Sequence, residues 1–178
     1  RIVLGGIDKA TIDQQTGLYE GFPGVEVLRT NNKTAEMIKY TSNAVLATLI
    51  SFSNEIANLC ASVKDVDIVD VMRGVHVSRY FSVDMPDGKR VQPPIVSFLA
   101  AGCGFGGSCF PKDVKALVAY GEGKKTPMHV LDAVLKVNEQ QPSKVVQLLK
   151  KHFASLKGVR VAILGLASFL LALWVLRR

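Results

Sequence analysis

From Thr34 onward, about 29 residues pass without a glycine or proline, and Met37, Ile38, Ala44, Val45, Ala47, Thr48, Ile50, Ile56, Ala57 and Cys60 keep a helical rhythm through them. The opening Thr34-Ala-Glu offers an N-cap with an acid in the first turn. A helix this long needs apolar cover on more than one side, from a bundle partner or a second subunit. The rest of the fold must therefore be arranged around it. With 178 residues the chain suits one ordinary domain, and 48% hydrophobic content allows a core and excludes global disorder.

The flanks read differently. Residues 1–6 form a short buried strand entering a glycine turn, and 7–33 predict a loop with one short helix before a strand at 25–29. After the long helix, an amphipathic helix is expected at 65–73, ending at Gly74. Residues 82–94 are polar, hold three prolines and predict a loop. Helices follow at 111–120, 127–140 and 143–154, then a strand-like run from Val159. The stretch from Val161 to Leu176 carries no charge but falls short of the roughly 20 residues that span a bilayer. It reads as a buried strand, cut or scrambled, in preference to an anchor, and no membrane partner is expected.

Charge and cysteine usage narrow the function classes. Lys and Arg number 22 against 15 Asp and Glu, a net charge of +7, which favours an anionic ligand. The basic residues do not interleave with aromatics in one tract, so nucleic acid is not an expected partner. Three cysteines make no disulfide framework and suit a reducing compartment, the cytoplasm. The start has no basic n-region, cleavable apolar stretch or initiator Met, so it predicts neither a signal peptide nor a natural beginning.

The most informative segment is Gly102-Cys-Gly-Phe-Gly-Gly-Ser-Cys-Phe-Pro-Lys-Asp. Its glycines let the backbone approach a ligand and visit positive φ. Pro111 suits the first position of a helix, which places Cys109 just ahead of a helix N-terminus, where amides, dipole and Lys112 favour a thiolate nucleophile. The competing reading is a buried structural cysteine. Cys60 and Cys103 lack that setting. Six residues separate Cys103 from Cys109 with no second pair to complete a zinc site, so a metal is not expected. On the long helix Lys39 and Asn43 are four apart and share a face, either as a desolvated oxyanion-stabilising pair or as part of a solvated surface. The three histidines read as surface or packing residues. No G-x-G-x-x-G follows a strand, and there is no Walker motif.

Thr34-Ala-Glu-Met-Ile-Lys-Tyr-Thr-Ser-Asn-Ala, followed by Gly104-Phe-Gly-Gly-Ser-Cys-Phe-Pro-Lys-Asp, resembles the UDP-glucose/GDP-mannose dehydrogenase family. The resemblance runs from the first residue to about Gly165. It implies a double oxidation of a nucleotide-sugar C6 alcohol to a carboxylate, with NAD as cofactor and a cysteine-bound thiohemiacetal and thioester. It assigns Cys109 as nucleophile, Lys39 and Asn43 as the oxyanion-stabilising pair, and Asp113 as the acid that helps water through thioester hydrolysis. Lys112 matches a lysine that reaches the cofactor. Phe98, Leu99, Phe105 and Gly106 match positions lining the nucleotide-sugar pocket, and Arg79 matches an arginine that reaches the neighbouring subunit's substrate. Ala100 stands where some members carry a lysine.

The resulting expectation is a mainly α fold, a helical central dimerisation domain with β remnants of two flanking Rossmann-type α/β domains. Its parts are 1–30, the end of the NAD-binding domain; 31–126, the central helical domain bearing the catalytic cysteine; 127–157, connecting helices; and 158–178, a truncated or scrambled start of the nucleotide-sugar-binding domain. A homodimer through helix 34–62 is expected. UDP-glucose is the first expected substrate, with GDP-mannose and UDP-N-acetylmannosamine as alternatives. A non-catalytic helical dimerisation module is the alternative of another class. Read as a fragment, the chain alone is expected neither to bind NAD tightly nor to turn over substrate.

Overall fold

A computed structural model describes residues 1–153 and 155–162. The chain is mainly α-helical, as the sequence predicts, with two small sheets among the described residues, and divides into two compact units, residues 1–45 and 46–178. The long helix contributes residues to both.

The first unit opens with a strand–helix–strand arrangement. Strand β1 (Ile2–Gly6) lies parallel to β2 (Val27–Asn31), with Ile2 opposite Val27 and Gly6 opposite Asn31. Between them, α1 (Lys9–Gly17) fills the segment for which one short helix is expected. Asp8 caps it, its carboxylate accepting from the Thr11 N–H at 2.7 Å, and that bond holds the Asp8 carboxyl below its usual range. Arg29 on β2 pairs with Asp13 of α1. A Cβ on Gly5 would lie 2.8 Å from the Ala35 Cβ, so only glycine lets this strand approach the long helix so closely.

Helix α2 spans Asn32–Cys60, two residues displaced from the expected span. Its cap is Asn31, whose side-chain oxygen accepts from the Thr34 N–H at 2.9 Å; Thr34 itself lies inside the helix. Asparagine caps as well as threonine, and the preceding strand delivers Asn31 to that position.

In the second unit α3 (Ile68–His76) is capped by Asp67 and runs through Gly74, which does not end it. The stretch expected to be a loop instead contains a hairpin, with β3 (Val83–Asp84) antiparallel to β4 (Arg90–Val91) and Gly88 at φ +81° in the turn. Prolines 86, 93 and 94 lie outside its two-residue strands. Pro94 opens a 3₁₀ turn that reaches Phe98. Arg90 forks onto Asp84 with bonds of 2.7 and 3.1 Å. Those bonds from Arg90 hold the Asp84 carboxyl below its usual range. The stabilisation is therefore present above the ordinary carboxylate range and lost as pH falls through the lowered value. The protection of the Gly88 amide, which donates to Met85, is expected to fall on acidification, measured against the slowing intrinsic rate, and to fall more than in D84N, which lacks the titrating carboxyl.

Helix α4 spans Cys109–Gly123, so Cys109 is its first residue and does not lie ahead of it. Helix α5 (His129–His152) is continuous where two helices are expected, with Pro142 inside it. A proline removes one ladder bond and disfavours helix for its predecessor, yet α5 stays helical through it and packs against α4. The unit's core holds Ala47, Val114, Leu117, Leu131 and Val134, and the Ser51 hydroxyl donates to the Val134 carbonyl at 3.0 Å, tying α2 to α5. Residues 159–162 form no strand. The rest of the expected terminal strand and apolar tail lies outside the described residues.

Candidate active site

The glycine-rich segment between Leu99 and Cys109 is held at several points. The His76 ring contacts the Leu99 carbonyl oxygen through Nε2 at 2.7 Å, and the Gly102 N–H donates to Asn54 Oδ1 at 2.7 Å. Asn54 is almost fully buried, and its Nδ2 has no hydrogen-bond partner among the described residues. Phe105 is gripped on both sides of its backbone: its N–H donates to Asn138 Oδ1 at 2.7 Å, and Asn138 Nδ2 donates to its carbonyl at 3.0 Å. Gly104 (φ +90°) and Gly107 (φ +73°) supply the left-handed conformations the loop requires.

Beyond the loop the chain enters α4. The buried Phe105 ring meets Phe110 edge-on at 6.1 Å, and Phe98 lies 6.3 Å from the same ring. Cys109 is exposed, with its sulfur 3.8 Å from the Ser108 hydroxyl. One turn further along α4, and so on the same face, Asp113 is 2% exposed. Lys112 Nζ lies 2.8 Å from Asp113 Oδ1 while remaining largely in solvent. An ionised carboxylate at such depth requires compensation, and an adjacent cation supplies part of it.

The second unit thus brings Phe98, Phe105, Cys109, Lys112 and Asp113 into one neighbourhood. Leu99 is buried, and Gly106 is exposed within the loop. With Ala100, Leu99 also lines a cleft of about 580 Å³ against Met72, Arg73 and His76 of α3. Arg79 is exposed beyond α3 and does not line that cleft. In the first unit, Lys39 and Asn43 sit one turn apart on α2, Lys39 exposed and Asn43 half-buried.

Asn54, His76 and Asn138 are the site-forming residues that sequence reasoning misses. A signal existed for Asn138: it falls on the stripe Leu131, Val134, Asn138, Gln141, where an amide interrupts an otherwise buried helical face. The end of β1 offers no seat for the phosphates of a dinucleotide. Gly5 and Gly6 end β1, but Ile12 fills the space beside Gly6, and no glycine-rich phosphate cradle follows. Among the described residues no group of three His, Cys, Asp or Glu could hold a metal ion, and no helix is long and apolar enough to cross a membrane.

Known proteins resemble this chain over most of its length. It is 43% identical over 141 residues to the UDP-glucose 6-dehydrogenase TuaD of Bacillus subtilis (strain 168), a match covering 79% of this chain and 28% of that protein. It is 39% identical over 167 residues to YwqF of the same organism, also a UDP-glucose 6-dehydrogenase, covering 94% and 34%. The solved UDP-glucose dehydrogenase of the archaeon Pyrobaculum islandicum superposes with a TM-score of 0.71 at 34% identity, covering 89% of this chain and 32% of that one. The chain therefore spans about a third of the length of these relatives. The central-domain pattern of the UDP-glucose/GDP-mannose dehydrogenase family matches residues 33–140, which takes in the long helix, the glycine loop and Cys109. With the motif order, the architecture and these matches in agreement, the chain belongs to the UDP-glucose/GDP-mannose dehydrogenase family.

Proposed function

We propose that these residues form the thiol-bearing part of an NAD-dependent nucleotide-sugar 6-dehydrogenase that oxidises UDP-glucose to UDP-glucuronate. The observation that carries the reading is an exposed cysteine opening α4 with a buried carboxylate one turn behind it. Relatives of 39% and 43% identity named UDP-glucose 6-dehydrogenase favour that sugar nucleotide over its alternatives.

A nicotinamide dinucleotide, when bound, supplies the hydride acceptor for both oxidations. The residues present act between those events. The Cys109 sulfur adds to the C6 aldehyde carbon, forming a C–S bond, and the carbonyl oxygen takes up a proton to give the thiohemiacetal. After oxidation to the thioester, water attacks the same carbon, the C–S bond breaks, and the carboxylate and the free thiol are released. Asp113 is assigned to steer that water, since a carboxylate one turn from the sulfur can accept its proton. Lys39 and Asn43 take the oxyanion-stabilising role, and Lys112 the cofactor-facing one, on family resemblance. Phe98, Leu99, Phe105, Gly106 and Arg79 are assigned to the sugar nucleotide on the same ground. A homodimer through α2 accompanies this reading.

Alkylation of the 178-residue chain tests it. Cys103 and Cys109 are both exposed, so accessibility alone predicts similar rates. Iodoacetamide is expected to modify Cys109 about ten-fold faster than Cys103, as an activated thiol would react, and UDP-glucose is expected to slow Cys109 selectively. Equal labelling, unaffected by the sugar nucleotide, would favour a scaffold with no catalytic thiol.

A further inference from the structure

We propose that Asn138 is a positioning residue that sets Cys109 by clamping the backbone of Phe105; its catalytic meaning rests on the function proposed above. The amide of Asn138 meets both polar groups of one residue, accepting from the Phe105 N–H at 2.7 Å and donating to its carbonyl at 3.0 Å, as a paired strand would. Phe105 lies 33 positions away in sequence, so α5 reaches across to hold a loop that makes no ladder of its own. The preceding Gly104 is fitted to the clamp. A Cβ there would lie 2.4 Å from Asn138 Oδ1, and its φ of +90° disfavours any side chain.

The clamp reaches the thiol through packing. Fixing the Phe105 backbone fixes its buried ring, which lies edge-on to Phe110, the residue after Cys109. Asn138 thus controls the entry of α4 without touching the sulfur. The half-buried site of Asn138 makes the pairing specific, because a lost partner there leaves Phe105 polar groups unsatisfied.

Amide exchange and alkylation on the 178-residue chain test the clamp. In N138A the Phe105 amide is expected to lose at least ~10-fold in protection, and Cys109 its excess reactivity over Cys103, while buried Cys60 stays protected and reports an intact fold. N138D separates clamping from mere space-filling. A carboxylic acid can donate and accept as the amide does, whereas a carboxylate would face the Phe105 carbonyl with no proton to give. The carboxylate still accepts from the Phe105 N–H but loses the bond to its carbonyl, so Phe105 protection in N138D at pH 7 is expected to lie between those of the parent chain and N138A. N138A offers Phe105 neither partner. Phe105 protection in N138D equal to the parent's or as low as N138A's, or an N138A chain with Phe105 exchange unchanged, overturns the proposal. Absence of excess Cys109 reactivity in the parent chain would instead count against the catalytic reading, leaving Phe105 exchange to judge the clamp.

Discussion

The F52E chain is expected to sediment as a monomer at concentrations where the parent chain is a dimer, with dissociation strengthened about 100-fold. Val45, Phe52 and Leu59 follow one another along α2 at seven-residue spacing and are 45%, 50% and 61% exposed. Seven residues are close to two helical turns, so the spacing keeps large apolar groups on one stripe, as a packing seam requires. Exposed apolar residues scattered singly need no partner, but a heptad stripe on a 29-residue helix does. A charge at its middle must be desolvated without a counter-ion, and the aromatic contact is lost as well. V69E is the control: Val69, on α3, is 68% exposed and lies outside the stripe, so this chain should remain a dimer. Analytical ultracentrifugation across a concentration series reads all three. A parent chain that stays monomeric throughout sinks the dimer proposal.

G121V should lower the stability of the second unit by about 2–4 kcal/mol, since overpacking with no room to relax costs several kcal/mol. Gly121 is buried near the end of α4, where the chain turns into α5. A Cβ there would lie 2.5 Å from Met128 Cγ and 2.7 Å from the Thr126 carbonyl oxygen. The methionine could swing aside, but the carbonyl is backbone. It belongs to a turn already held by the Thr126 N–H donating to the Gly121 carbonyl at 2.8 Å. Valine's better helix propensity than glycine returns only a few tenths of a kcal/mol. Urea denaturation should show a lower midpoint with an unchanged slope, the mark of a less stable native state. A midpoint within error of the parent would mean that this connection yields freely.

Local information was legible in both units. The helical period of α2, the short strand at the start and the glycine loop were legible in the chain, because each is a pattern of neighbours: spacing, caps and conformational freedom. The motif pair that marks the family is legible for the same reason. Element limits were less so. The shift of the α2 cap from Thr34 to Asn31 follows from β2 pairing, which no helical pattern reports.

What only the tertiary structure decided is every feature built from distant partners. Helix α5, which packs against α4, passes through Pro142, although proline by itself argues for a break. The hairpin at Val83–Asp84 and Arg90–Val91 is too short to show alternation, and its cross-strand bonds close it. Asn54 and Asn138 read as stray amides on helices until the loop, 48 and 33 positions away, is folded onto them. Helical spacing can place Asn138 on a buried face, but it cannot name the partner, because only the folded chain brings donor and acceptor together.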